Sequence, residues 1–264
     1  MLTSTALTWW RQSLYSYKGL FLWLNWPGYI SNIFVRPVLL VTMFSLTGRF
    51  ARGEAAAETF AIGMAAYGVS NLLLGGIMQG FYYERAFATL NIVFASFGSR
   101  LRMFLSRGIL HWPNVVLSVV VSLIGARLIV GVEFEGADWV SVSAAFLLIC
   151  TSTMLFALCL GNLCIPIRDW QAPYGVTQIA FLALTGAIIP RSDLPLVLHE
   201  LGAVLPITHG LAAARAAFDG ASLSVISDEL LREGLVGLGY AVLGYLLFLL
   251  SERYARRSGA YEQP

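Results

Sequence analysis

The chain has 264 residues and a formal net charge of +2, but only 12% of its residues are charged and 58% are hydrophobic, at a mean hydropathy of +0.72. Soluble domains carry about 25% charged residues. This composition therefore excludes a mainly soluble chain, leaves little room for a separate soluble domain, and gives no reason to expect a nucleic-acid partner.

In chain order, Met1–Trp10 has no basic region before an apolar core and no small-residue cleavage site, so no signal peptide is expected. Trp10, Leu14, Tyr17, Phe21 and Leu24 then fall on a narrow arc at helical spacing, edged by Arg11 and Lys18. An aromatic arc with basic edges suits an interfacial helix along the inner leaflet, over residues 1–28. Packing against the bundle is the other use of such a face. Asn25-Trp26-Pro27-Gly28 breaks this helix and turns the chain into the membrane.

Six segments are long enough to cross a bilayer, near 29–48, 60–81, 113–131, 139–163, 173–190 and 230–250. Small residues recur in the second (Gly63, Gly68, Gly75, Gly76, Gly80) and the sixth (Gly234, Gly237, Gly239, Ala241, Gly244), which permits close helix approach. Arg36 is expected at or just inside the inner interface, within reach by snorkelling, and Arg127 near the outer end of the third span. No carboxylate is expected near mid-membrane, which argues against a proton-coupled carrier. Asn71, Gln79, Thr177 and Gln178 are among the mild polar residues in the spans.

Two connections stand out. The 82–112 loop carries Glu84, Arg85, Thr89, Leu90, Arg100, Arg102 and Arg107, with a short amphipathic helix expected over Thr89–Ala95 and ended by Gly98. Its alternating apolar anchors and charges fit a docking surface for a cytoplasmic partner. Within 191–220, Pro195 and Pro206 frame two apolar runs of about a dozen residues, each covering roughly 18 Å of a core about 30 Å thick. Such runs are too short to cross and read as a re-entrant hairpin, which requires protein or a water-filled cavity to cover its irregular backbone.

Charge sets the orientation. The amino-terminal region, the 82–112 loop, the Arg168 turn and the carboxyl tail hold 11 basic and 4 acidic residues, and the opposite side 6 basic and 11 acidic. Both termini are therefore expected in the cytosol and the hairpin outside.

Catalytic chemistry finds no footing. Cys150, Cys159 and Cys164 share one apolar span with no disulfide or metal spacing, and His111, His199 and His209 are scattered. No metal site is expected. The single lysine, Lys18, follows no glycine-rich loop, so a phosphate-binding loop is absent and energy must come from a partner or a gradient.

The order of these parts resembles the permease subunits of type-2 ABC exporters over nearly the whole chain. The resemblance rests on the amphipathic start, six spans, Glu84-Arg85 continuing to Thr89-Leu90, Arg168-Asp169 before the fifth span, and Pro190-x4-Pro195-x10-Pro206-x8-Arg215-x4-Gly220. It implies one all-α integral membrane domain over 1–264, with six transmembrane helices, an interfacial amino-terminal helix and an extracellular re-entrant hairpin marked by Pro195, Pro206 and Arg215. It further implies a permease dimer in a bacterial inner membrane, served by cytoplasmic ABC ATPases that bind ATP and Mg while this chain binds no cofactor. Glu84, Arg85, Thr89, Leu90, Arg100, Arg102 and Arg107 would then couple to the ATPase, and Asn71, Gln79, Thr177 and Gln178 would line the substrate path. The expected cargo is an amphipathic drug, natural product or lipid, with a lipid-linked polysaccharide as the alternative. An ATP-independent carrier and a non-transporting membrane scaffold are the readings from other classes.

Overall fold

The computed structural model describes residues 25–87, 105, 108–164 and 169–258, with backbone alone at 84–86, 164 and 251–258. The expected interfacial helix up to residue 24, and Thr89, Leu90, Arg100, Arg102, Arg107 and Arg168, lie outside the described residues. The described residues are helical and contain no strand.

Helix α1 covers Trp26–Arg52. Asn25 caps it by accepting a hydrogen bond from the Gly28 amide at 2.9 Å, and Pro27 sits in its first turn, where a missing N–H costs nothing. The turn Ser31–Val35 is π-helical, and the Arg36 amide donates to the Ser31 carbonyl. Pro37 explains the wider turn: it has no N–H to donate, and its ring crowds the carbonyl four residues earlier. Gly53, at φ +91°, reverses the chain into α2, Glu54–Ala86.

Helix α3 covers Gly108–Val130 and ends in a second π turn, closed by left-handed Gly131. Asp138 starts α4, Trp139–Cys164, accepting from the Val140 amide at 3.2 Å and the Ser141 hydroxyl at 2.6 Å. Those two bonds, the Ser141 hydroxyl first, hold the Asp138 carboxyl below its ordinary range.

The expected fifth span, 173–190, holds helix α5 only over Gln171–Leu184. Gly186, at φ +88°, takes the chain out of helix, and non-helical backbone continues to Pro190. After a short 3-10 turn at Arg191–Asp193 come α6, Leu196–Ala203, and α7, Thr208–Phe218, bent 88° from each other. Pro195 precedes α6 and Pro206 lies in the bend, as the proline framing predicts. Helix α8, Ser227–Ser258, closes the described chain. Helices α1–α4 and α8 are each long and apolar enough to cross a membrane, and the bent α6–α7 pair passes that test only when taken together.

Helices α2 and α4 form the centre. Helices α1 and α3 pack on α2, α8 packs on α4, and α7 wedges against α4, α8 and α2. Close approach depends on glycine: a methyl group on Gly76 would stand 2.3 Å from the His111 ring, and one on Gly63 2.2 Å from the Ala187 carbonyl oxygen. Helix α5 leans mainly on α2 and α6, which leaves Val176 and Ile179 about 70% exposed.

Candidate functional site

The hairpin is fixed by two charged side chains. The first four N–H groups of a helix have no partner within it, and the helix dipole favours a negative charge there. Helix α7 begins inside the protein, so water does not serve those groups. Glu233 of α8 does. Its Oε1 accepts from the Ile207 amide at 2.8 Å and from the Ser152 hydroxyl of α4. Its Oε2 accepts from the His209 amide at 3.1 Å and the Gly210 amide at 2.9 Å. Glu233 is fully buried and joins α4, α7 and α8 at one point.

Ile207 sits at φ +82°, a region that β-branched residues avoid, and its amide bond to Glu233 helps hold it there. His209 braces the same bend: Nδ1 lies 2.8 Å from Glu229 and Nε2 3.2 Å from the Ala203 carbonyl. The Tyr240 hydroxyl donates to the Val204 carbonyl at 2.9 Å, and Thr208 to that of Gly202 at 2.7 Å. A buried carboxylate was not expected from the sequence, which reads Glu233 as one of the acids at the outer end of the last span. The burial follows from position: Glu233, Gly237, Gly244 and Phe248 share the buried stripe of α8, continued by Ile226 just before it. An acid in register with two close-packed glycines was the available signal.

Arg215 fixes the other end of α7. Its Nη2 donates to the carbonyls of Thr59 at 3.2 Å, Gly186 at 2.9 Å and Ala187 at 3.5 Å. One guanidinium thus satisfies the carbonyls freed where α5 ends and holds the hairpin to the start of α2. Arg191 secures the hairpin's first limb through the His199 carbonyl at 3.0 Å, and Arg52 pairs with Asp193 at 3.4 Å. All these contacts lie at the end of the bundle that carries the Gly53 turn and the 131–138 loop, where the Asp138 amide donates to Ala217.

The residues expected along a substrate path separate into two groups. Gln178 of α5 is buried, and its Oε1 accepts from Ser70 of α2 at 3.3 Å. Asn71 is half-buried beside the Tyr67 hydroxyl. These two belong to one polar cluster where α1, α2 and α5 meet: Tyr174 stands beside both Arg36 and Gln178, and Tyr67 lies in the field of Arg36. Thr177 and Gln79 are turned to their own helices, toward the Pro173 carbonyl at 2.7 Å and the Tyr83 hydroxyl at 3.3 Å. Arg36 is exposed, on a face of α1 continued by Leu39 and Met43. Neither tyrosine breaks an apolar pattern, so the sequence alone does not single them out.

Among the expected coupling residues, Glu84 and Arg85 occupy the last turn of α2, at the end of the bundle opposite the hairpin. The described residues contain no group of three His, Cys, Asp or Glu able to hold a metal. Cys150 and Cys159 are buried free thiols.

The sequence model of the ABC-2 type transporter matches residues 2–218, from the amino terminus through the end of α7. A search of curated proteins finds no match. That family is the membrane component of ABC transporters rather than the ATPase, and it works with an ABC ATPase. The chain belongs to the ABC-2 type transporter family and is a multi-pass transmembrane subunit of an ABC transporter.

Proposed function

We propose that the chain is one of two permeases in an ATP-driven exporter of the bacterial inner membrane, with a cytoplasmic ATPase under each half. ATP and Mg bind to those ATPases. The basic excess at the 84–107 end assigns that end to the cytosol, together with both termini, and puts the hairpin outside.

The supporting observation is the geometry of α2. It runs unbroken for 33 residues from Glu54 to Ala86, and roughly 40 Å of it separates the Thr59 carbonyl held by Arg215 from Glu84 and Arg85 beside the loop. A helix of that length with its middle buried moves as a rod. Closure of the ATPases on ATP pushes the docked 84–107 loop, α2 transmits the displacement, and the hairpin joint at Arg215 receives it. The coupling free energy comes from contacts that differ between the two states.

The cargo is an amphiphile, carried along the junction of α1, α2 and α5 with Asn71 and Gln178 among its polar lining, and released past the hairpin. The exposed apolar faces of α1 and α5, set beside a few polar groups, suit that class. Affinity purification of the chain from native membranes tests the reading: an ABC ATPase should co-elute, and the complex should hydrolyse ATP. A chain that purifies without an ATPase and supports flux without ATP would be a carrier instead.

A further inference from the structure

Arg36 is a cation to which the described residues offer no counter-charge. It lies ten residues beyond Trp26 and thirteen before Arg49, roughly 15 Å and 20 Å along the helix axis. Its backbone therefore lies inside the first span, with the inner interface within reach of the guanidinium by snorkelling. Among the described residues it enters no ion pair, and its side chain is exposed. Glu233, the fully buried carboxylate, stands at the hairpin end and is already engaged by three amides and a hydroxyl.

The groups around Arg36 are neutral and able to donate. Tyr174 and Tyr67 bring hydroxyls, and the buried Gln178 Nε2 finds no partner of good geometry. Cations within membrane spans either pair or mark a substrate or ion pathway, and π turns recur at functional sites. Here the π turn Ser31–Val35 ends immediately before Arg36 and resets its direction relative to the first turn of α1. Leu39 and Met43 continue the same exposed apolar face. A cation beside the Tyr174 phenol, with Tyr67 in its field and an exposed apolar face along its own helix, suits a ligand with an anionic head and an apolar body.

We propose that Arg36, with Tyr67 and Tyr174, reads the head group of the transported amphiphile and selects those bearing phosphate, sulfate or carboxylate. This rests on the export reading above and adds to it the charge class of the cargo.

The test uses the permease–ATPase complex in phosphatidylcholine nanodiscs, with two fluorescent single-chain probes that share one tail: a lysophosphatidic acid and a monoacylglycerol. Fluorescence anisotropy reads binding. The native chain should prefer the phosphate probe by about tenfold or more, the scale of a charge-assisted hydrogen bond. Arg36→Gln should bring the two probes within about twofold, Arg36→Lys should keep part of the preference, and Arg127→Gln should keep all of it.

Equal binding by the native chain overturns the proposal, as does a preference that survives in Arg36→Gln. Loss of dimer mass in Arg36→Gln overturns it in favour of a subunit contact. An anionic phospholipid that co-purifies with the native chain alone, and that the probe does not displace, overturns it in favour of a resident lipid. Absence of an ATPase from the purified complex sinks the export reading instead, and anisotropy on the chain alone still decides whether Arg36 selects anions.

Discussion

Replacing Glu233 with alanine removes the acceptor of four donors at once: the amides of Ile207, His209 and Gly210 and the hydroxyl of Ser152. The site is fully buried, so water does not replace the carboxylate without a rearrangement of α7. A buried donor left without a partner costs about 1–3 kcal/mol, and the three amides share one helix end that partly relaxes together. The expected loss is about 3–5 kcal/mol, the range seen when one side of a buried charged network is removed. Glu233→Gln keeps the shape and one acceptor oxygen but, even with its NH2 group in the Oε1 place beside the Ser152 hydroxyl, turns a donor toward the Ile207 amide, so it should fall between the native chain and Glu233→Ala. Ser152→Ala removes one donor of the four and should cost about 1–2 kcal/mol. Two measurements on the purified chain in nanodiscs follow this order. One is the apparent unfolding midpoint; the other is labelling by a membrane-impermeant thiol reagent of a cysteine placed at Ala212 on the exposed face of α7. Midpoint and labelling that are both unchanged in Glu233→Ala would refute the reasoning.

Arg215→Met leaves the carbonyls of Thr59, Gly186 and Ala187 without their shared donor and should cost about 2–4 kcal/mol, with Arg215→Lys recovering part of the loss in the same unfolding assay. Gly63→Ala places a methyl group 2.2 Å from the Ala187 oxygen and 3.1 Å from Arg215 Nη2, so the backbone must shift, at about 1–3 kcal/mol. An unchanged midpoint there would contradict the close approach of α2 to the end of α5. The folded carboxyl of Asp138 titrates below its unfolded value, so its contribution is present above the ordinary carboxylate range and is lost as pH falls through the lowered folded value. The midpoint difference between the native chain and Asp138→Ala should therefore be full at neutral pH and shrink in acid; a difference that grows in acid would contradict the cap.

The parts of the fold set by local chemistry were legible in the sequence. Asn25-Trp26-Pro27-Gly28 starts α1, Pro195 and Pro206 frame the hairpin, and five apolar stretches are the five long helices. The parts set by distant contacts were not. Ile188 and Ile189 extend the hydropathy of the fifth span, but Gly186 leaves the helix and the Gly186 and Ala187 carbonyls turn to Arg215, nearly thirty residues later. Glu233 reads as a surface acid of the last helix until α7 is laid against it, because its donors are backbone amides that sequence does not display. Arg36 is visible as a cation at or just inside the inner interface, but the tyrosines near it come from two other helices. Of the polar residues named in the spans, Gln178 bonds Ser70 across helices and Asn71 stands beside Tyr67, whereas Thr177 and Gln79 bond within their own helices.

The central claim is that this chain moves cargo when a partner's ATP cycle pushes on the loop end of α2. ATP-driven uptake of a labelled amphiphile into inside-out vesicles carrying the permease–ATPase complex measures this most directly, with Glu84→Ala and Arg85→Ala alongside the native chain. Uptake should require hydrolysable ATP and should fall by about tenfold in the two variants, the scale of a coupling of about 1–3 kcal/mol, while their insertion into the membrane stays intact. Uptake that follows an ion gradient without ATP, or variants that transport as the native chain does, would contradict it.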